Sequence, residues 1–99
     1  MKKILVCCNS GVSTTLLVSK LEAAAKADGG DIEVVAYPLA KGIEHLSDAD
    51  VVLLAPQVAF AQPNLAEGTD APVRAIDPDE YARMDVAAIL AQAKELLSA

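Results

Sequence analysis

Residues 2–17 read KKILVCCNSGVSTTLL, and this stretch decides the fold class of the chain. Its apolar part, Lys3–Cys7, is continuous, as is typical of a parallel strand that is covered on both faces. A polar loop follows, and Ser13 is predicted to be the N-cap of a helix that ends at Gly29-Gly30. A strand, a polar loop and a helix in this order indicate an α/β domain.

The rest of the chain continues the alternation of strands and helices. Further strands are predicted at Glu33–Tyr37, Asp50–Ala55 and Val73–Ile76. Further helices are predicted at Ala40–Leu46 and at Gln57–Glu67, with Pro63 as a kink or boundary in the second. A turn is predicted at Asp77–Glu80, and a last helix from Tyr81 or Met84 to Leu97. Right-handed crossovers then predict an open four-stranded parallel sheet of order 2-1-3-4 with helices on both faces. We expect residues 1–99 to form a single domain.

The composition excludes several classes of function. The 99 residues carry a formal net charge of −6, which disfavours nucleic acid and anionic membranes as partners. No apolar run approaches the ~20 residues of a membrane-spanning helix, and we interpret the start of the chain as a strand rather than a signal peptide. We therefore expect a cytoplasmic monomer that forms transient complexes. The single His and the adjacent cysteines show no metal-ligand spacing, so neither a metal nor another cofactor is predicted.

The predicted topology places one loop of unusual composition at a ligand-binding position. In an open parallel sheet, ligands bind beyond the carboxyl ends of the strands, where the winding reverses. For order 2-1-3-4 this point lies between strands one and three, where Cys8–Thr15 meets Ala55–Val58. Backbone N–H groups of the loop Cys8–Thr15 can form an anion-binding nest, and Gly11 permits the backbone angles that such a nest needs. The N-terminus of a helix, which favours a bound anion, follows this loop. The predicted phosphate-binding residues are Asn9, Ser10, Gly11, Val12, Ser13, Thr14 and Thr15.

Cys8 stands at the base of this loop. A helix N-terminus favours the thiolate form of a nearby thiol, so phosphoryl transfer through a phosphocysteine is one interpretation. A cysteine buried in the core is the other, and spacing alone leaves both open. The adjacent Cys7 is predicted to be structural and, if the strand continues through both cysteines, to point to the opposite face of the strand. Adjacent cysteines seldom form a structural disulfide, because the ring strains the shared backbone.

Two families share a cysteine at the start of such a loop. In low-molecular-weight tyrosine phosphatases and the related arsenate reductases, an Arg six positions after the Cys clamps the phosphate. Here that position is Thr14, although Asp77-Pro78 partly matches the Asp-Pro general acid of those phosphatases. The fold is expected to be similar to theirs, but the missing arginine argues against phosphatase activity.

The second family matches longer stretches of the chain. Residues 8–18, CNSGVSTTLLV, and residues 49–59, ADVVLLAPQVA, resemble two motifs of the IIB components of the sugar phosphotransferase system, lactose/cellobiose (chitobiose) class. Val12 replaces the usual Met, and Ile76-Asp77 and Tyr81 are a weaker match. The resemblance implies that Cys8 receives a phosphoryl group from a phosphohistidine of a IIA protein. Cys8 would then pass it to a β-linked disaccharide such as cellobiose, chitobiose or lactose, bound in the membrane-embedded IIC transporter. This role implies a cytoplasmic protein that is transiently at the inner face of the membrane.

Other residues near the predicted sheet edge are weaker candidates. Pro56, Gln57, Asp77 and Tyr81 are predicted to contact partner proteins, although Asp77 also fits a helix cap. His45 is predicted to be a solvated residue without a role in the site. Two alternative functions remain open: a phosphatase or arsenate-reductase-like enzyme, and a regulatory module that is controlled by phosphorylation.

Overall fold

Four parallel strands form one sheet in the computed structural model, which describes residues 2–8, 12–29 and 31–98. The strands are β1 (Lys2–Cys8), β2 (Ile32–Pro38), β3 (Val51–Leu54) and β4 (Val73–Ala75). Their order is β2-β1-β3-β4, which confirms the predicted topology. Runs of Val, Ile and Leu make these segments strands, because branched side chains pack well on a pleated surface.

The register of the sheet brings both cysteines to the carboxyl ends of the strands. Cys7 pairs with Tyr37 on β2 and with Leu54 on β3, and Cys8 pairs with Pro38 at the end of β2. The winding reverses between β1 and β3, so Cys8 lies next to the switch point of the sheet.

Helices and short 3₁₀ segments connect the strands. The α-helices are α1 (Val12–Ala27), α2 (Leu39–Glu44), α3 (Gln62–Glu67), α4 (Pro78–Ala82) and α5 (Val86–Ser98). The 3₁₀ helices cover Leu46–Asp48 and Pro56–Ala61. α1 ends at Ala27, and Gly29, one of the two glycines predicted to stop the helix, follows with a φ of 130°, which glycine adopts readily and other residues only with strain.

Both faces of the sheet are covered by apolar side chains. On one face, Val6 and Leu53 pack with Leu21 of α1 and Ile89 of α5. On the other face, Leu5, Val52 and Leu54 pack with Leu46, Val58 and Leu65. Successive residues of β1 and β3 thus enter opposite clusters, which explains why both strands are continuously apolar.

Several predicted boundaries are wrong. Ser13 lies inside α1, which begins at Val12, whereas an N-cap residue precedes the first helical residue. The turn predicted at Asp77–Glu80 is the start of α4, because Asp77 caps a helix there. The last helix is therefore two helices, separated at Met84, whose φ of 52° interrupts helical geometry.

The two middle helices also differ from the prediction. The helix predicted at Ala40–Leu46 ends at Glu44, and a 3₁₀ turn follows after His45. The helix predicted at Gln57–Glu67 divides into the 3₁₀ segment Pro56–Ala61 and α3, so a boundary does lie near Pro63. Proline is tolerated in the first turn of a helix, where its missing N–H would have no intrahelical partner.

Candidate active site at the carboxyl end of β1

Cys8 occupies the last position of β1, shortly before α1 begins at Val12. Its side chain is 2% exposed, and its Sγ donates a hydrogen bond to the carbonyl oxygen of Tyr37 at 3.7 Å. The thiol therefore contacts the end of β2, and α1 begins four residues after Cys8 in the chain. The first turn of a helix has backbone N–H groups without intrahelical partners, and its dipole favours negative charge.

The neighbouring thiol, Cys7, is enclosed in the core. Its side chain is fully buried, and burial, together with the neighbouring Cys8, raises the pKa of the Cys7 thiol from 9.0 to about 11. A thiol with so high a pKa stays protonated at neutral pH, and the protonated form is a poor nucleophile. This supports the structural role predicted for Cys7.

The two cysteines do not divide between the two faces of the sheet. Both pack into the apolar cluster that also contains Leu54 and Val58, so the prediction of opposite faces is wrong. The alternation holds only as long as the strand continues, and β1 ends at Cys8. There the Cys8 side chain turns to the Tyr37 carbonyl.

Helix α2 packs directly on the Cys7 sulfur. A Cβ atom added to Gly42 would lie 2.5 Å from the Cys7 Sγ, which is far closer than a carbon and a sulfur atom approach each other. Position 42 therefore requires glycine as long as position 7 carries a sulfur. This contact fixes α2 against the end of β1.

The predicted phosphate-binding residues are described only in part. Asn9, Ser10 and Gly11 lie outside the described residues. The backbone of Val12, Ser13, Thr14 and Thr15 forms the first turn of α1, and their side chains lie outside the described part. Phosphate binding by this loop therefore stays a prediction.

The second loop at the switch point begins after β3. The N–H of Ala55 donates a hydrogen bond to the Cys7 carbonyl oxygen at 2.9 Å, which fixes the start of this loop beside the cysteines. Pro56 and Gln57 then open a 3₁₀ helix, and the Gln57 side chain is exposed. Both residues therefore lie at the same edge of the sheet as Cys8.

Asp77 and Tyr81 follow β4. The Oδ1 atom of Asp77 accepts hydrogen bonds from the N–H groups of Asp79 and Glu80, at 2.9 and 3.2 Å. This confirms Asp77 as a helix cap. Tyr81 is half-buried in α4 and packs against both apolar clusters, so part of its side chain serves the core.

Sequence reasoning missed an aromatic stack beside the cysteines. The His45 ring stacks on the Tyr37 ring, with centroids 4.2 Å apart and planes inclined by 5°. The His45 side chain is still 39% exposed, in agreement with the predicted solvated residue, and the stack is a contact that the prediction did not include. His45 Nδ1 also lies 3.9 Å from the Asp48 carboxylate. The two rings are eight positions apart in the sequence, and no local pattern joins them. Only the turn that α2 makes after β2 brings them together.

Sequence reasoning also missed a set of exposed apolar side chains. Among the described residues, the large apolar side chains that are exposed are Leu16, Ile43 and Phe60, at 50%, 53% and 75%. They lie on the helices that follow the carboxyl ends of β1, β2 and β3. We call these three residues the apolar rim.

Across 2–8, 12–29 and 31–98, no cluster of His, Cys, Asp and Glu side chains could hold a metal ion. In the same part of the chain, no helix combines the length and apolar character needed to cross a membrane.

Comparison with known proteins decides the family. The family described as "PTS system, Lactose/Cellobiose specific IIB subunit" matches residues 3–92. The chain belongs to this family. The two motifs around Cys8 and Pro56 had indicated the same class of phosphotransferase component, and that prediction is confirmed.

Relatives of this IIB subunit match along its length. It is 37% identical to the oligo-beta-mannoside-specific EIIB component of Bacillus subtilis, covering 98% of this chain and 97% of that protein. It is 35% identical to the cellobiose-specific EIIB component of Lactococcus lactis, with the same coverage. These relatives are components of sugar phosphotransferase systems, and this IIB subunit is a component of the same type.

Solved structures agree with the fold. A cellobiose-specific IIB component from Borrelia burgdorferi superposes with a TM-score of 0.79 and 31% identity, covering 98% of this chain and 92% of that one. A lactose-specific IIB domain from Streptococcus pneumoniae has a TM-score of 0.74 at 20% identity, covering 84% and 83% of the two chains. The second likeness concerns the fold alone.

Proposed function

We propose that this IIB subunit carries a phosphoryl group on Cys8 during sugar uptake. The observation that carries the proposal is the position of the Cys8 thiol, at the carboxyl end of β1 and just before the N-terminus of α1. The competing thiol, Cys7, is held in its protonated form by burial, and its pKa is about 11. Cys8 is thus the better nucleophile of the pair.

The proposed first step is a transfer between two proteins. The Cys8 thiolate attacks the phosphorus of a phosphohistidine on a IIA protein, the P–N bond breaks and a P–S bond forms. The thiol has lost its proton to solvent before the attack, and the released imidazole nitrogen takes a proton from solvent. N–H groups of residues 9–15 stabilise the negative charge of the transferred group, as expected at a helix N-terminus. Because Cys8 is 2% exposed, the atoms that cover Sγ must move before a donor reaches it.

The proposed second step delivers the group to the sugar. A hydroxyl of a sugar bound in the IIC transporter attacks the phosphorus, the P–S bond breaks and a P–O bond forms. The hydroxyl proton is released and the cysteine leaves as a thiolate. Relatives named for cellobiose and oligo-beta-mannoside support a β-linked disaccharide or short oligosaccharide as the sugar. This role places the chain in the cytoplasm, transiently at the inner face of the membrane.

The chemistry of a carrier accounts for Thr14. A phosphatase uses an arginine at this position to clamp the phosphate during hydrolysis, whereas a carrier must protect its phosphocysteine from water. We expect Thr14→Arg to accelerate hydrolysis of the phosphocysteine. Unchanged hydrolysis in this variant would remove the explanation.

The apolar rim supports docking of the partner proteins around Cys8. Its three side chains lie on the helices that follow the carboxyl ends of β1, β2 and β3, and the Cys8 thiol lies at the carboxyl end of β1. Contiguous exposed apolar side chains are typical of protein–protein interaction sites, and we propose that these three contribute to one. Pro56 and Gln57 lie in the same segment as Phe60 and are proposed to contribute to the same surface, as are Asp77 and Tyr81 beyond β4.

Docking is tested by kinetics with phosphorylated IIA as the substrate. Phe60→Ser and Ile43→Ser should raise the apparent KM for IIA about tenfold and leave the thermal midpoint within a few degrees, since the side chains are exposed. Lys26→Ser, in the last turn of α1 at the opposite end, is the matched surface control. If Phe60→Ser, Ile43→Ser and Lys26→Ser all had the same apparent KM for IIA, the apolar rim would not be a docking surface for IIA.

Transfer itself is tested by intact-mass spectrometry. The chain is incubated with phosphoenolpyruvate, the general phosphotransferase proteins and IIA, as wild type, Cys7→Ala and Cys8→Ser. Wild type and Cys7→Ala should each gain the mass of one phosphoryl group, and Cys8→Ser should gain none. If no variant gains mass while IIA is phosphorylated, the carrier role is wrong, and hydrolysis of an aryl phosphate would then test the phosphatase alternative.

A further inference from the structure

The outer edge of β2 carries backbone groups that the sheet does not pair. In a parallel strand, successive residues direct their N–H and C=O groups to opposite sides. The N–H of Lys2 on β1 donates to the carbonyl oxygen of Asp31, so the odd-numbered residues of this strand face β1. Val34 and Ala36 therefore direct their N–H and C=O groups outward, where no residue of 2–8, 12–29 and 31–98 hydrogen-bonds them. Pro38 ends β2 at an outward position, where its missing N–H costs no bond to β1.

The opposite edge of the sheet is protected. β4 has only three residues, and the carbonyl oxygen of Val73 accepts hydrogen bonds from Gln62 Nε2 at 2.9 Å and from Arg74 Nη1 at 3.0 Å. Short strands and covered backbone groups are how proteins keep a sheet edge from pairing with another chain. β2 has seven residues and, within the described part of the chain, no such cover. The two edges of one sheet thus differ in their capacity to accept a further strand.

A groove of about 400 Å³ runs between this open edge and α1. Its walls include Val34 and Ala36 of β2 and Val18, Ser19 and Glu22 of α1. The Glu22 side chain is half-buried there, and it forms no ion pair with any residue of the described part. A partly desolvated carboxylate beside apolar side chains favours a cationic partner.

We propose that this groove binds an extended segment of another protein, which adds to β2 as a fifth strand. Backbone groups of the segment pair with those of Val34 and Ala36, as in other cases of strand addition to a sheet edge. An apolar side chain of the segment packs on Val18. A Lys or Arg two positions away, and so on the same face of the segment, pairs with Glu22. A second copy of this chain is the wrong occupant, because both copies would carry a net charge of −6.

The test uses two peptides that differ in one charge, acetylated and amidated Thr-Val-Thr-Lys-Thr-Val-Thr and the same sequence with Glu in place of Lys. NMR titration of the ¹⁵N-labelled chain gives the Kd of each peptide. We expect the Lys peptide to shift the amide signals of Val34 and Ala36, to slow their hydrogen exchange, and to bind about fivefold more tightly than the Glu peptide.

Three variants locate the binding site of the Lys peptide. Glu22→Gln should raise its Kd about threefold, and Glu95→Gln, at an exposed position of α5 outside the groove, should leave it unchanged. Ala36→Pro removes one outward N–H and should raise the Kd about fivefold. Circular dichroism establishes that the variants are folded, and Glu22→Gln alone decides the matter if Ala36→Pro is not.

Three results would overturn the proposal. Absence of shifts at Val34 and Ala36 with millimolar Lys peptide would mean that the edge accepts no strand. Equal Kd values for the two peptides, or for wild type and Glu22→Gln, would remove the role of the carboxylate. A dimer in sedimentation, with slow exchange at both amides before peptide is added, would make a second copy the occupant. Phosphoryl transfer enters none of these measurements, so the carrier function can fail its own mass test while this proposal stands.

Discussion

At the scale of single residues, two adjacent cysteines of the same strand have different environments. Cys7 is enclosed between the sheet and α2, and its thiol is held in the protonated form. Cys8 is at the strand end, where its thiol contacts the Tyr37 carbonyl, four positions before the first residue of α1. Both residues are buried, and we propose that only Cys8, at the end of the strand, carries the phosphoryl group.

The raised pKa of Cys7 makes stability depend on alkaline pH. The folded thiol, with a pKa of about 11, keeps its proton after the unfolded thiol, with its ordinary value of 9.0, has lost it. The contribution of the protonated Cys7 thiol to the free energy of unfolding is complete below pH 9 and is lost as the pH rises toward 11. Between pH 8 and 10.5, the free energy of unfolding in urea should therefore fall further in wild type than in Cys7→Ala, by on the order of 2 kcal/mol. Parallel curves for the two proteins would contradict the assignment.

The contact between Gly42 and Cys7 is tested by substitution of both residues. Gly42→Ala places a Cβ against the Cys7 Sγ and should destabilise the fold by about 1–3 kcal/mol, despite the better helix propensity of alanine. Cys7→Ala removes the sulfur, so the double variant should regain most of the loss, with a coupling of about 1 kcal/mol or more.

Gly68→Ala is the matched control for this cycle. Its added Cβ would lie 3.1 Å from the Cδ1 atom of Leu46, the end of a flexible side chain that can shift. We expect a change below about 1 kcal/mol in this variant. Additive effects of Gly42→Ala and Cys7→Ala in urea unfolding would show that the two residues are not in contact.

At the scale of the elements, sequence patterns predicted the strands well. The apolar runs at Lys3–Cys7 and Asp50–Ala55 lie within one residue of the ends of β1 and β3, because continuous burial leaves a clear signal. The helices after β2 and β4 were less well predicted. Their ends depend on tertiary features, such as the left-handed backbone of Met84, that no local pattern announces.

Helix α4 depends on its cap. Asp77→Ala removes the acceptor of two backbone N–H groups and should destabilise the chain by about 1 kcal/mol, whereas Asp77→Asn keeps a good capping oxygen and should change little. Thermal unfolding measures both variants. Phosphoryl transfer should be retained in Asp77→Asn, and a large loss of transfer in this folded variant would indicate that the carboxylate takes part in the chemistry.

At the scale of the whole molecule, one sheet carries an apolar layer on each face. Leu53 belongs to the layer under α1 and α5, and Leu54 belongs to the opposite layer. Both side chains are fully buried, so Leu53→Ala and Leu54→Ala should each destabilise the fold by about 2–5 kcal/mol. Phe60→Ala, at an exposed position, should cost about 0.5 kcal/mol or less in the same denaturant series. A tolerated change at either leucine would contradict the two-layer core.

The sequence predicts a place for the candidate site, whereas the contacts around that place could not be predicted from it. The order of strands and the composition of residues 8–15 predicted a reactive centre at the carboxyl end of β1, because topology determines where parallel strands expose their ends. The Tyr37–His45 stack, the apolar rim and the contact of Gly42 with Cys7 join residues from different elements. Such contacts follow from three-dimensional packing and leave no periodic signal in the chain.

The central claim is that a phosphorus–sulfur bond forms on Cys8, and ³¹P NMR of the phosphorylated chain tests it most directly. The spectrum distinguishes phosphorus bonded to sulfur from phosphorus bonded to nitrogen or oxygen. We predict one resonance of the phosphorus–sulfur type in wild type and in Cys7→Ala, and no such resonance in Cys8→Ser. A resonance of the phosphorus–nitrogen type, which would place the group on His45, or a phosphorus–sulfur resonance that persists in Cys8→Ser, would contradict the account.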